Sequence, residues 1–309
     1  MVRLGRSFTL RSLKSKETKV LTKLRDFNYL EPSTLPEALS LLHQYDGRAK
    51  ILAGGTDLII QMKQKKLTPE YVINLKKISG LDYIDYNGQG LRIGPLVTHS
   101  MVASSPVIQK NFPMLADACL AVGAPQTRNR GTLAGNLCNA SPSADTPPAL
   151  IALGAKLKME SSEGERVMNV EDFFSGPFAT ALKNSEMLTE INIPSLPARS
   201  GGAYLWVPKV TAVDETLVGV GVLLTLNSDK RCTEARIGLG SVGPAPIRAH
   251  KTEEFLKGKR IEPKLFAEAG EVSASEVSPR SRGDYRREMI KVFVRRALDQ
   301  ALGKIEEAI

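Results

Sequence analysis

No apolar run in the 309-residue sequence approaches the ~20 residues that a membrane-spanning helix needs. The longest candidate, Leu217 to Leu226, is broken by Gly219 and Gly221 and reads as a buried strand, so no membrane span is expected. Cysteine is scarce: Cys119, Cys138 and Cys232 stand far apart with no C-x-x-C spacing. So sparse and odd a set excludes a disulfide framework and points to a reducing compartment, the cytoplasm. It also excludes an iron–sulfur cluster held by this chain alone, which calls for a full set of thiolates. Histidine occurs only at His43, His99 and His250, without an H-E-x-x-H pattern, so no metal site is expected. A Walker lysine motif and a G-x-S-x-G nucleophile elbow are missing too, and no residue is assigned a catalytic role.

Charge is unevenly distributed. The formal net charge is +9, but residues 1–25 carry eight Arg and Lys against the single acid Glu17, a net of +7. The rest of the chain is left at about +2, ordinary for a protein with no nucleic-acid partner. The basic N-terminal segment 1–25 lacks the apolar centre of a secretory signal, because Phe8-Thr9-Leu10 is too short. It reads as a disordered or loosely docked extension; an RNA- or membrane-binding arm and a docking strand for another subunit are the other readings.

Folded structure is expected from Asp26. Thr34-Leu35-Pro36-Glu37 forms a capping box, and Leu35, Ala38, Leu39 and Leu42 follow at helical spacing. A strand at Lys50–Ala53, a helix from Asp57 to Lys63 and a strand at Tyr71–Leu75 complete a small α/β unit over 26–79. A second unit, 80–195, holds strands near 91–94, 155–159 and 187–193 and a helix over 113–122. It also holds a glycine- and asparagine-rich passage, 123–145, too polar for a helix or strand interior. Pro194, Pro197 and Gly201-Gly202 mark a boundary. Beyond it, over 200–304, a hairpin at 218–226 and 234–242 precedes helices at 249–257, 263–276 and 284–302, an α+β arrangement.

Three passages place glycine where a phosphate would sit. Ala53-Gly54-Gly55-Thr56-Asp57 lies between strand and helix, where bare glycines turn amides toward a ligand; an ordinary strand-to-helix turn is the equal alternative. Gln126 to Asn136 is a polar passage between apolar segments, whose backbone groups need partners that a nucleotide would supply; a surface loop is the alternative, disfavoured by Leu133 and Leu137 within or beside it. Gly238-Leu239-Gly240-Ser241-Val242-Gly243 matches G-x-G-x-x-G, but Pro244 and Pro246 stand where the helix of a dinucleotide fingerprint should begin, and it is rejected.

The first passage with Leu58 and Met62-Lys63, and the second extended through Leu137-Cys138-Asn139-Ala140-Ser141-Pro142 to Asp145, resemble the FAD-binding medium subunit of the molybdenum hydroxylases. That group includes xanthine dehydrogenase, carbon monoxide dehydrogenase and 4-hydroxybenzoyl-CoA reductase. Leu239 to Ala249, Tyr285-Arg286-Arg287 and Val294 to Leu298 extend the resemblance over about 26–303. It implies an α+β fold: a two-subdomain FAD-binding domain of the vanillyl-alcohol-oxidase type, then a smaller C-terminal domain. It also implies roles for particular residues. Ile51, Leu52, Ala53, Gly54, Gly55, Thr56, Asp57 and Leu58 would wrap the FAD pyrophosphate. Thr132, Leu133, Ala134, Gly135 and Asn136 would form the second wall, and Asp145 would accept from cofactor hydroxyls. Val122 and Gly123 would line the flavin pocket and Leu188 would pack on the ring.

Two positions depart from the family pattern. Ala134 replaces a commoner glycine, and Trp206 falls where many relatives place a lysine near the flavin. A Trp there would stack on the ring or restrict access, and loss of the cation disfavours negative charge on the flavin; a plain core aromatic is the competing reading. No inserted cysteine segment interrupts Gly135–Ala155, so FAD alone is expected in this chain. The resemblance further implies a large molybdenum cofactor-binding subunit and a small [2Fe–2S] subunit, in a heterotrimer or a dimer of heterotrimers. The chain's FAD would pass their electrons to NAD or another acceptor. A free-standing FAD-dependent oxidoreductase is one rival, lacking a convincing base; a non-enzymatic nucleotide-binding module is the other.

Overall fold

The structure is a computed structural model that describes residues 24–307 apart from Ala212 and Arg280. All but the last two residues of the basic extension therefore lie outside the described residues. The first unit starts at the expected cap. The Thr34 hydroxyl accepts the Glu37 amide at 3.3 Å, and the Glu37 carboxylate reaches back to the Ser33 amide at 2.7 Å. This opens α1 (Leu35–Gln44), which buries Ala38, Leu39 and Leu42. Beside it lies a parallel sheet of β1 (Asn28–Leu30), β2 (Ala49–Leu52) and β3 (Tyr71–Asn74) in the order β1-β3-β2. The short helix α2 (Leu58–Lys63) links β2 to β3.

The middle unit is an antiparallel sheet covered by helices. Its strands are β4 (Ile84–Tyr86), β5 (Gly90–Ile93), β6 (Lys156–Ser161), β7 (Gly164–Asn169) and, after a small hairpin of β8 (Phe174–Gly176) and β9 (Ala179–Thr180), β10 (Met187–Pro194). The order is β4-β5-β10-β6-β7. Between β5 and β6 run α3 (His99–Ser104), α4 (Pro106–Asn111), α5 (Pro113–Ala121), α6 (Pro125–Arg128), α7 (Leu133–Asn139) and α8 (Thr146–Ala152). The passage 123–145, expected to be irregular, thus holds two short helices. In α7 the Thr132 hydroxyl caps the Gly135 amide at 3.0 Å while Leu133, Ala134 and Leu137 are buried. Burial of three apolar side chains outweighs the poor helix propensity of glycine and asparagine.

The last unit is an antiparallel sheet of β11 (Ser200–Pro208), β12 (Thr216–Leu226), β13 (Cys232–Gly240) and β14 (Ile247–Arg248), followed by α9 (His250–Leu256), α10 (Pro263–Glu276) and α11 (Gly283–Glu307). Gly201 and Gly202, expected to punctuate a boundary, lie inside β11. A side chain at Gly201 would collide with the Ala301 carbonyl of α11, so the glycine serves close packing and not a break. All of β12 is buried because both its faces are covered. Val218, Val220, Val222 and Leu224 join the α9–α11 core, while Leu223 and, from β11, Tyr204 join the core of the middle unit.

The rejected G-x-G-x-x-G passage has a packing role. Gly219, Gly221, Gly238 and Gly240 form a bare floor on the sheet, and Pro148 of α8 sits on it. A Cβ at Gly221 would stand 2.5 Å from the Pro148 carbonyl, one at Gly240 would stand 2.6 Å from its ring, and one at Gly238 would collide with the carbonyl. Gly238→Ala and Gly221→Ala should each lower stability by roughly 1–3 kcal/mol, the cost of overpacking. Gly303→Ala, in α11 with nothing within 4 Å of the added carbon, should raise it by up to about 1 kcal/mol. Urea unfolding of the three variants checks both directions.

Candidate functional site

Two glycine loops meet edge to edge. The first runs from the end of β2 through Ala53–Asp57 into α2, with Gly55 at φ +80°. The second runs from α6 through Arg130 and Gly131 into α7. A side chain at Gly54 would collide with the Arg130 carbonyl, and one at Gly131 would meet Thr56 Oγ1 at 3.3 Å. The second loop is anchored from behind: the His99 amide donates to the Gly131 carbonyl at 3.0 Å and the Leu133 amide to the Val97 carbonyl at 3.0 Å. Among the described residues, the amides of Gly55, Thr56, Asp57, Thr132 and Ala134 donate to no protein acceptor. Thr132 and Ala134 are nonetheless buried, 3% and 4% exposed. Buried amides without partners mark a place built for an outside acceptor.

The remaining predicted residues are spread over several elements. Ile51 and Leu52 close β2, and Leu58 begins α2. Val122 and Gly123 follow α5, Gly123 at φ +42°. Their carbonyls both accept from Arg128 Nη1, at 3.0 and 2.5 Å, which fixes that turn. Gly135 and Asn136 lie in the first turns of α7, and Asn136 Oδ1 accepts the Thr146 hydroxyl at 2.6 Å. Asp145 precedes α8, and its Oδ1 accepts the Thr216 hydroxyl of β12 at 2.5 Å. Leu188 is 2% exposed in β10, the strand on which α7 packs. Trp206 lies on β11 opposite Gly219, half-buried against the middle core and stacked on Tyr204 with ring centroids 5.9 Å apart.

Burial shifts several titratable groups near the loops toward their neutral forms. The Asp145 carboxyl is pushed up to about 7 by desolvation, against the opposing pull of the Thr216 hydrogen bond. Burial, then the charge of Arg128, pushes the His99 imidazole down to about 4. His99 is the first residue of α3, behind the Thr98 cap, and its Nδ1 is buried without a partner. Burial likewise lifts the Cys138 thiol to about 12. Sequence reasoning missed Thr216 and the anchoring work of Arg128. Arg128 was visible in the Q-x-R-N run; Thr216 has no local signal and gains its place only because β12 lies beside α8.

This fold, an α+β pair of glycine-loop units backed by a third unit, defines a class of flavoprotein. Residues 25–196 match the family described as FAD binding domain in molybdopterin dehydrogenase, and residues 207–301 match the CO dehydrogenase flavoprotein C-terminal domain. The chain is 32% identical to the nicotine 6-hydroxylase medium subunit of Paenarthrobacter nicotinovorans, over 90% of its own length and 98% of that protein. It is also 32% identical to the carbon monoxide dehydrogenase medium chain of Hydrogenophaga pseudoflava, over 89% and 96%. The solved carbon monoxide dehydrogenase of that organism superposes with a TM-score of 0.87 at 32% identity, covering 91% of this chain and 99% of that one. Quinoline 2-oxidoreductase from Pseudomonas putida 86 gives 0.85 at 30%, covering 92% and 99%. The chain belongs to the FAD-binding medium subunits of the molybdenum hydroxylases.

The residues present fit FAD: the loops close on each other at two bare glycines, and unpartnered amides stand on both. The state of Asp145 is open to test. A carboxyl that binds its proton more tightly in the folded chain than in the unfolded one favours folding at low pH. That contribution is lost as pH rises from the ordinary aspartate range through about 7. The cofactor-free chain should therefore lose thermal stability between about pH 5 and about pH 8, and Asp145→Asn should flatten the fall. Identical pH profiles for the two proteins would remove Asp145 as the cause.

Proposed function

We propose that this chain is the FAD-carrying electron-transfer subunit of a cytoplasmic molybdenum hydroxylase-type complex. In it, electrons pass from [2Fe–2S] clusters of a small partner subunit to NAD or another acceptor. Substrate oxidation belongs to a large partner that holds the molybdenum cofactor, in a heterotrimer or a dimer of heterotrimers. The observation that carries the reading is the pair of facing glycine loops with five amides lacking protein acceptors. Bound FAD supplies the chemistry, taking electrons singly and giving up a pair as hydride.

The chain's own residues bind and orient. Ile51 to Leu58 wrap the pyrophosphate, with the amides of Gly55, Thr56 and Asp57 as donors. Thr132 to Asn136 form the opposite wall, and Asp145 accepts from cofactor hydroxyls. Val122 and Gly123, fixed by Arg128, line the ring pocket with Leu188. His99 is enclosed and held neutral by burial, so it is not placed to take a proton from a substrate. Three cysteines are too few for the clusters that would feed a flavin, which favours electrons delivered by a partner over a free-standing oxidase.

The test is the visible absorption of the purified full chain, with mass identification of any nucleotide released on denaturation. Stoichiometric FAD is the expected result; no flavin after incubation with excess FAD overturns the proposal. Trp206 supplies a second check. With its ring against the flavin, Trp206→Lys should shift the visible spectrum and raise the reduction potential, since a cation favours the more negative reduced form. If spectrum and potential both stay put, Trp206 is a core aromatic alone.

A further inference from the structure

Arg286 is a charged side chain that the flavin reading leaves unused. It lies in the first turn of α11, and among the described residues it forms no ion pair. Its Nη1 donates to two main-chain carbonyls, that of Leu217 at 2.7 Å and that of Ser241. Those carbonyls belong to the start of β12 and the turn just beyond β13. A guanidinium between them works as a cross-link, since hydrogen bonds from a charged donor are stronger than neutral ones.

Each tied residue sits beside a contact with the same short segment. Thr216, next to Leu217, donates its hydroxyl to Asp145. Ser241 donates its amide to the Pro142 carbonyl at 3.1 Å. Ser241 is 5% exposed and held at φ +63°, a left-handed conformation that a serine keeps only where its surroundings impose it. The Arg286 bond to its carbonyl is one such constraint and the Pro142 contact another. The segment from Pro142 to Asp145 is therefore gripped at both ends by residues whose carbonyls, or whose neighbours' carbonyls, converge on one side chain.

We infer that Arg286 is a positioning residue for the cofactor: it sets the Pro142–Asp145 wall of the flavin site through Ser241 and through Leu217 with its neighbour Thr216. The inference rests on the FAD reading above and adds to it a control point on a helix outside both glycine loops. Its consequence is coupling between Arg286 and Thr216, because both act on the same wall.

Full-length Arg286→Met, Thr216→Val and the double variant are compared with the wild type. FAD affinity, the visible spectrum of bound flavin and the unfolding midpoint of the FAD-free chain are measured. In Arg286→Met the FAD dissociation constant should rise on the order of tenfold, the loss of charge-assisted hydrogen bonds. The bound spectrum should move toward that of free FAD, which a general loss of stability would not cause. The double variant should bind FAD about as weakly as the weaker single variant, the non-additivity of sites that share a partner. Wild-type affinity and spectrum in Arg286→Met, or fold-changes that multiply in the double variant, overturn the inference. Should Arg286→Met fail to fold, Arg286→Gln, whose amide spans one carbonyl only, is read by the same criteria. A wild-type chain that binds no FAD brings down the functional reading and this inference together. Wild-type binding with an unaffected variant brings down this inference alone.

Discussion

The constraint that sets the C-terminal sheet against the middle unit is the seat of Pro148 on four glycines of that sheet. Side chains at Gly221, Gly238 and Gly240 would force α8 outward, because the helix approaches the strands at main-chain contact distance. Interiors are packed densely enough that even one added methyl is felt. The approach brings the start of α8, and with it Asp145, within a hydrogen bond of Thr216. The same sheet is met closely from the other side, where Gly201 admits the Ala301 carbonyl of α11.

Electrostatics around the loops follow from that enclosure. Burial keeps His99 and the Cys138 thiol uncharged and raises Asp145 to about 7, so its carboxyl changes charge near neutral pH. Nearer the first loop, Lys76 is held below its usual range by burial and then by the charge of Arg130, two cations facing one region. Positive charge at the edge of the loops suits a diphosphate cofactor.

The C-terminal unit is packed into the middle unit and is not an appendage to it. Tyr204 and Leu223 belong to the core of the middle unit, and Arg248 joins Glu171 of that unit at 3.2 Å to Glu253 of α9 at 2.9 Å. Thr216, Ser241 and Trp206 all reach toward the middle unit from the C-terminal sheet. A change in how the two units pack would therefore reach the Pro142–Asp145 wall and the face of β11 that carries Trp206.

Elements with a local signature were legible in the amino-acid sequence. The Thr34–Glu37 cap, the 3.6-residue spacing of Leu35, Ala38, Leu39 and Leu42, and the strand-glycine-helix run at 51–58 are encoded within a few residues of one another. So were α10 and most of α11, and the two loop motifs were specific enough to point to a cofactor. Tertiary structure decided what no window of sequence contains. The polar passage 123–145 folds into α6 and α7 because Leu133, Ala134 and Leu137 find a core to enter. Gly201-Gly202 and the run from Gly238 to Gly243 look like breaks or a phosphate loop until α11 and α8 are laid against them. Thr216 has no motif, and the Tyr285-Arg286-Arg287 run that holds Arg286 does not give its contacts away, because each partner is brought near only by packing. Local propensity and periodicity arise from neighbours along the chain, whereas close approach between distant segments exists only once the chain has folded.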